Sequence, residues 1–88
     1  MSVQYALERI RSMVYEPNSS FEVNIKLQND TKVRAIVTRL DGDTYLITLW
    51  SRHESVSRYV DSSKILKYLE SLIENARPKY VWVRDLRP

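Results

Sequence analysis

Residues 21–28 read Phe-Glu-Val-Asn-Ile-Lys-Leu-Gln, apolar at every odd position and polar at every even one. A period of two belongs to an extended strand whose side chains alternate between faces. The pattern therefore predicts a small antiparallel sheet with one face on a core and the other face available. It constrains architecture strongly and function hardly at all.

The segments that follow extend the sheet. Asn29-Asp30-Thr31 reads as the first turn and Lys32–Leu40 as the second strand. A two-residue turn would oppose Leu27 to Lys32 and Ile25 to Arg34, mixing apolar and charged side chains on one face. A three-residue turn sets Leu27 by Val33, Ile25 by Ala35 and Val23 by Val37, which keeps the faces consistent and is preferred. Asp41-Gly42 signals a second short hairpin of two or three residues. The third strand, Thr44–Ser51, is apolar on both sides, with Tyr45, Ile47 and Leu49 on one and Leu46 and Trp50 on the other. Such a strand is expected to be central and covered twice, by another element of the chain or by a partner subunit. Val56–Val60 forms a short fourth strand after a polar turn, and Tyr80–Val83 a last one.

Two helices frame these strands. Val3, Ala6, Leu7, Ile10, Met13 and Val14 make one apolar stripe over residues 3–15, with Ser2 as N-cap and Pro17 as terminator. Ile65, Leu66, Leu69, Leu72, Ile73 and Ala76 make a second stripe, begun by Asp61 or Ser62 and stopped at Arg77-Pro78. The expected fold is a single α+β domain over residues 1–88, with a basic aromatic strand or tail at 77–88. Its order is α-β-β-β-(β)-α-β, a meander of three or four antiparallel strands packed on two amphipathic helices. The final strand is expected at an edge or in a partner's sheet. The predicted core is Leu7, Ile10, Val14, Phe21, Val23, Ile25, Leu27, Val33, Val37, Leu66, Leu69 and Ile73. The order helix, three strands, helix is similar to that of double-stranded-RNA-binding domains. The resemblance is one of element order: Lys64 and Lys67 do not make up the lysine cluster of those domains' second helix, and no site residue is transferred.

Composition removes several functions. The 88 residues hold no cysteine, so no disulfide, thiolate metal site or cysteine nucleophile exists, and a reducing, cytoplasmic interior is the expected location. A single glycine, against an average near ~7%, leaves no glycine-rich phosphate loop. No apolar run approaches the ~20 residues that span a bilayer, so no membrane partner is expected. The lone histidine, His53, stands beside Glu54 in a polar turn and is better read as exposed than as a general base. Asp41-Gly42-Asp43 with Glu22 could be drawn as a carboxylate cluster, but aspartate in a tight turn explains it more simply. Ser62, Ser63 and Lys64 at the start of the second helix could hold an anion, against which Asp61 already stands. No metal, cofactor or catalysis is expected.

What remains is cationic surface. The net charge is +3, and residues 77–88 alone carry Arg77, Lys79, Arg84 and Arg87 against Asp85. On the polar face of the first two strands lie Glu22, Asn24, Lys26 and Gln28 beside Lys32, Arg34, Ile36 and Thr38. Cations and amides on a sheet face suit contact with phosphates, and Tyr80 and Trp82 suit stacking on bases. The expectation is a small non-enzymatic, weakly sequence-specific nucleic-acid-binding module, with DNA or RNA as partner. Its predicted contacts are Lys26, Lys32, Arg34, Arg39, Lys79, Tyr80, Trp82, Arg84 and Arg87. The alternative is a homo-oligomeric protein-interaction module without a nucleic-acid ligand, paired through the outer face of the third strand or through the C-terminal strand. The polyanion reading requires Lys26 and Arg34 to share a surface and not both to be neutralised by carboxylates.

Overall fold

The computed structural model describes residues 3–87. The chain runs α1 (Val3–Met13), β1 (Ser20–Lys26), β2 (Lys32–Arg39), β3 (Thr44–Ser51), β4 (Glu54–Asp61), α2 (Ile65–Ala76) and β5 (Tyr80–Asp85). The strands form one sheet in the order β4-β3-β2-β1-β5. Every neighbouring pair is antiparallel. This is the expected α+β order with the fourth strand present. The first four strands form a meander, and α2 carries the chain from one edge of the sheet to the other, where β5 joins β1.

The odd residues of β1 face the helices. Phe21, Val23 and Ile25 are buried with Ala35, Val37, Tyr45, Ile47, Val81 and Val83 beneath Ala6, Leu7, Ile10, Met13, Ile65, Leu69 and Ile73. Removing a side chain of this size from water contributes about 1.5–3 kcal/mol, so these residues dominate the folding energy. The Tyr45 hydroxyl reaches through the core and donates to the Val14 carbonyl at the end of α1. That bond satisfies one of the carbonyls a helix C-terminus leaves free. Leu27, Val33 and Leu66, expected in the core, lie partly buried at its margin.

The first hairpin corrects its predicted register. Ile25 pairs with Val33, Val23 with Ala35 and Phe21 with Val37, a shift of two residues that preserves the faces. The loop does hold three residues, but it is Gln28-Asn29-Asp30, closed by Leu27 N–H donating to the Thr31 carbonyl at 2.8 Å. Asp30 takes φ 67°, the left-handed residue that such loops need at their end. Asn29 Oδ1 accepts from Thr31 N–H at 3.0 Å.

Three further expectations change. The third strand is interior but not central, since β2 holds the middle of the sheet. Tyr45 and Ile47 face inward, and among the described residues no element covers Leu46 and Trp50. The fourth strand is longer than expected, eight residues from Glu54 to Asp61. Helix α2 starts later, with Lys64 as N-cap and no side-chain cap bond, because Asp61 remains in the sheet and its carbonyl accepts from Lys64 N–H at 2.9 Å. The predicted Ser2 cap of α1 lies outside the described residues. Among the described residues four non-glycine ones have positive φ: Asn18, Asp30, Arg52 and Arg77. Arg77 (φ 48°, ψ 60°) ends α2, and Pro78 prevents its continuation.

Candidate nucleic-acid interface

The uncovered face of the sheet is built by the even residues of β1, β2, β3 and β5 and the odd residues of β4. Register aligns them in rows. Trp82 pairs with Asn24, Asn24 with Arg34 and Arg34 with Trp50, so a row from β5 to β3 has a tryptophan at each end and continues to Ser55 of β4. On one side lies the row Tyr80, Lys26, Lys32, and on the other Arg84, Glu22, Ile36, Thr48. Beyond these, Thr38, Leu46 and Tyr59 form a more apolar end.

The aromatic groups are arranged. Tyr80 and Trp82 stack with ring centroids 5.2 Å apart and planes inclined by 28°. Lys26 Nζ lies 5.7 Å from the centre of the Tyr80 ring, and Arg34 Cζ lies 6.0 Å from that of Trp50. Trp50 remains 38% exposed and Tyr59 70%. Between the two tryptophans is an open depression of about 530 Å³, lined by Asn24, Lys32, Arg34, Trp50, Arg52 and Trp82, with Asp30, Thr31 and Val33 also on its wall.

Lys26 and Arg34 share this surface, and each has a carboxylate. Lys26 Nζ is 3.8 Å from Asp30 Oδ1, which sits closer to Lys79 Nζ, at 3.0 Å. The hydrogen bond and charge of Lys79, then the charge of Lys26, hold the Asp30 carboxyl below its ordinary range. Glu22, only 6% exposed, lies between two guanidiniums, 3.5 Å from Arg34 Nε and 3.6 Å from Arg84 Nε. Its Oε1 also accepts from Asn24 Nδ2 at 2.9 Å. Each carboxylate is thus divided between two cations, so each cluster keeps one positive charge in excess. Lys32 and Arg52 line the same depression and make no salt bridge among the described residues. The opposition of Lys26 to Lys32 across the β1–β2 pair is a repulsive arrangement for stability alone.

No protein-family model, curated protein or solved structure matches the chain.

The sequence-predicted contacts divide on geometry. Lys26, Lys32, Arg34, Tyr80, Trp82 and Arg84 lie together on the open face, with Lys79 at its rim. Arg39 does not join them. It pairs with Tyr45 in register, stacks its guanidinium 5.7 Å from that ring, and donates to the Asp41 and Gly42 carbonyls at 3.2 and 3.1 Å. It braces a turn on the helix side, as its odd position in β2 dictates. Arg87 is also spoken for: Asp85 Oδ2 lies 2.7 Å from Nη2, and Glu16 binds the other side of the guanidinium. These carboxylates raise its affinity for its proton, while the Arg87 side chain and N–H pull Asp85 down to about 2.

Trp50, Arg52, Asn24 and Glu22 were not predicted contacts. Arg52 stands at the first central position of the two-residue β3–β4 turn, with Ser51 and Glu54 paired on either side and φ 56°. Two-residue hairpins with one positive φ at that position favour glycine. A cation held there against its backbone preference, beside Trp50, is local strain of the kind that collects at functional surfaces. The aspartates of the second hairpin are structural: Asp41 Oδ1 accepts from Asp43 and Thr44 N–H at 2.8 and 2.9 Å. His53 lies exposed in the β3–β4 turn. No helix among the described residues is long and apolar enough to cross a membrane.

Proposed function

We propose that the open sheet face binds single-stranded nucleic acid, without catalysis and with weak sequence preference. The observation that carries this reading is the row Trp82–Asn24–Arg34–Trp50. It sets two partly exposed indole rings on an uncovered sheet, an arginine between them, and surplus positive charge on either side. Bases offer π faces to the indoles and to Tyr80, each stack contributing about 1–3 kcal/mol. Phosphates meet Lys26, Lys32, Arg34 and Arg52, whose spacing along and across the strands follows a chain rather than a compact ligand. Asn24 is the amide side chain within the row, and its Nδ2 already donates to Glu22, which is too little for strong specificity.

Titration of the intrinsic tryptophan fluorescence with oligothymidylate and oligouridylate tests the reading. Four phosphate contacts predict a slope of log K against log salt near ~−3, a loss of about 60-fold between ~50 and ~200 mM salt. Trp50→Ala and Trp82→Ala each weaken binding by roughly 5- to 150-fold at fixed salt. Absence of binding at low salt ends the proposal, as does binding indifferent to both substitutions.

The competing reading, protein assembly through the same face without nucleic acid, is favoured by the apolar end at Ile36, Leu46 and Tyr59. It predicts self-association that Leu46→Lys abolishes and that oligonucleotide does not alter. The C-terminal strand joins β1 of its own subunit and forms one edge of the sheet, so assembly through it would use its outer edge, where Arg9 donates to the Val83 carbonyl.

A further inference from the structure

The two edges of the sheet are unlike. At the β5 edge, Arg9 Nη1 crosses from α1 and donates to the Val83 carbonyl at 3.1 Å, and the strand is only six residues long. The β4 edge is eight residues long and has neither proline nor lysine, its charges being Glu54, Arg58 and the terminal Asp61. Its backbone orientation follows from one bond: Ser62 N–H donates to the Asp43 carbonyl at 2.8 Å. Even residues of β4 therefore turn their amides and carbonyls toward β3, and odd residues turn theirs outward. The outward groups of Ser55, Ser57 and Tyr59 have no hydrogen-bond partner among the described residues. Val56 is 65% exposed on the helix side of this edge.

We infer that β4 pairs antiparallel with β4 of a second copy, about a two-fold axis at Val56, joining two sheets into one of ten strands. The inference goes beyond nucleic-acid binding and does not rest on it.

A self-complementary antiparallel pair must match outward groups with outward groups and keep faces aligned, so the axis falls at a residue and never between two. Four placements overlap five or more residues of the strand, and an axis at Tyr59 sets Arg58 against Val60 and Ser57 against Asp61. An axis at Arg58 opposes that arginine to its own copy. An axis at Ser57 sets Glu54 against Val60 and Val56 against Arg58. An axis at Val56 sets Glu54 against Arg58 twice, with the two valines meeting between them and Ser55 exchanging both backbone bonds with Ser57. Only the last register joins opposite charges and covers the exposed valine. With four backbone bonds and a small area, the pairing is weak, with a dissociation constant on the order of 10–500 µM.

Sedimentation equilibrium across that range tests the inference on the intact chain. The expected weight-average mass rises from 10.5 kDa toward twice that value. Ser57→Pro removes an outward N–H while leaving the β3 ladder intact, because β3 bonds the even residues. It raises the dissociation constant about tenfold or more. Glu54→Arg and Arg58→Glu each weaken association by opposing like charges, and the double exchange E54R/R58E restores it. Circular dichroism checks that each variant folds, and if S57P does not, the charge-exchange cycle decides. A mass of 10.5 kDa throughout overturns the inference. So does association that the single charge changes leave undiminished, which would locate the contact on another surface.

Discussion

Replacing Glu22 with glutamine probes the open face at its most constrained point. The carboxylate is buried between Arg34 and Arg84, at 3.5 and 3.6 Å. Glutamine keeps the shape and the Oε1 acceptor for Asn24, whose bond is 2.9 Å long, and removes only the charge. Arg34 is nearly half exposed and Arg84 more so, so solvent discounts each lost pair to about 0.2–1 kcal/mol. Relief of a desolvated carboxylate offsets part of that cost. The net change in stability is therefore within about 1 kcal/mol, a shift of no more than ~4–8 °C in melting temperature. The effect on ligand is larger and of opposite sign. A phosphate ~7 Å from Glu22 is repelled by about 0.6 kcal/mol at the dielectric of water and by about 2.4 kcal/mol at an effective value of ~20. Affinity for an oligonucleotide should rise between about 3-fold and 50-fold at low salt, and the salt slope should steepen by up to ~0.7 for each further phosphate engaged. Fluorescence titration of the folded variant reads both quantities. Unchanged or weakened binding with a normal melting curve would refute the reasoning, because it would mean that no polyanion comes near this carboxylate.

Other perturbations test the frame that carries the face. Tyr45→Phe removes the buried hydroxyl that caps α1 and leaves the Val14 carbonyl without its donor. A loss of about 1–3 kcal/mol in urea unfolding is expected, with the slope unchanged. Leu69→Ala, at a site with no exposed surface, should cost about 2–5 kcal/mol, a large fraction of the ~5–15 kcal/mol typical of small domains. The ion pairs of Asp85 and Asp30 give an acid limb to stability. The folded Asp85 carboxyl titrates at about 2, against an ordinary 3.8, so its contribution is complete above pH ~4 and is lost as the pH falls toward ~2. Asp30, lowered in the same direction, adds to that limb. Melting temperature followed over this range should fall less steeply in Asp85→Asn, and raised salt should flatten it further.

Much of this architecture is written in local alternation. The odd residues from Phe21 to Ile25 are the buried ones, and the even ones from Glu22 to Lys26 line the open face. The helical stripes met their core through Leu7, Ile10, Leu69 and Ile73. Position along a strand was harder to read, since a shift of two residues leaves every face unchanged; hence the misjudged partners of Ile25 and Val23. The inward face of β3 was hidden because Tyr45 and Ile47 are no more apolar than Leu46 and Trp50. Only the length of the Asp41-Gly42-Asp43 loop distinguishes them. Trp50 was consequently missed as the partner of Arg34, although an even position opposite an even position is the signal that finds it. Arg39 was misassigned against its own parity: it stands an odd number of residues from Arg34. The burial of Glu22 between two arginines needs β5 beside β1, a pairing of distant segments that no local pattern announces.

The distribution of the lone glycine has a practical corollary. Gly42 has ordinary φ and nothing within 4 Å of where a methyl group would stand, whereas Arg77 turns a helix end with φ 48°. Alanine at 42 would restrict the unfolded chain, and glycine at 77 would relieve the native one, each by roughly 0.4–1 kcal/mol. A more heat-resistant chain thus lies two substitutions away, neither of them at a residue of the tryptophan row.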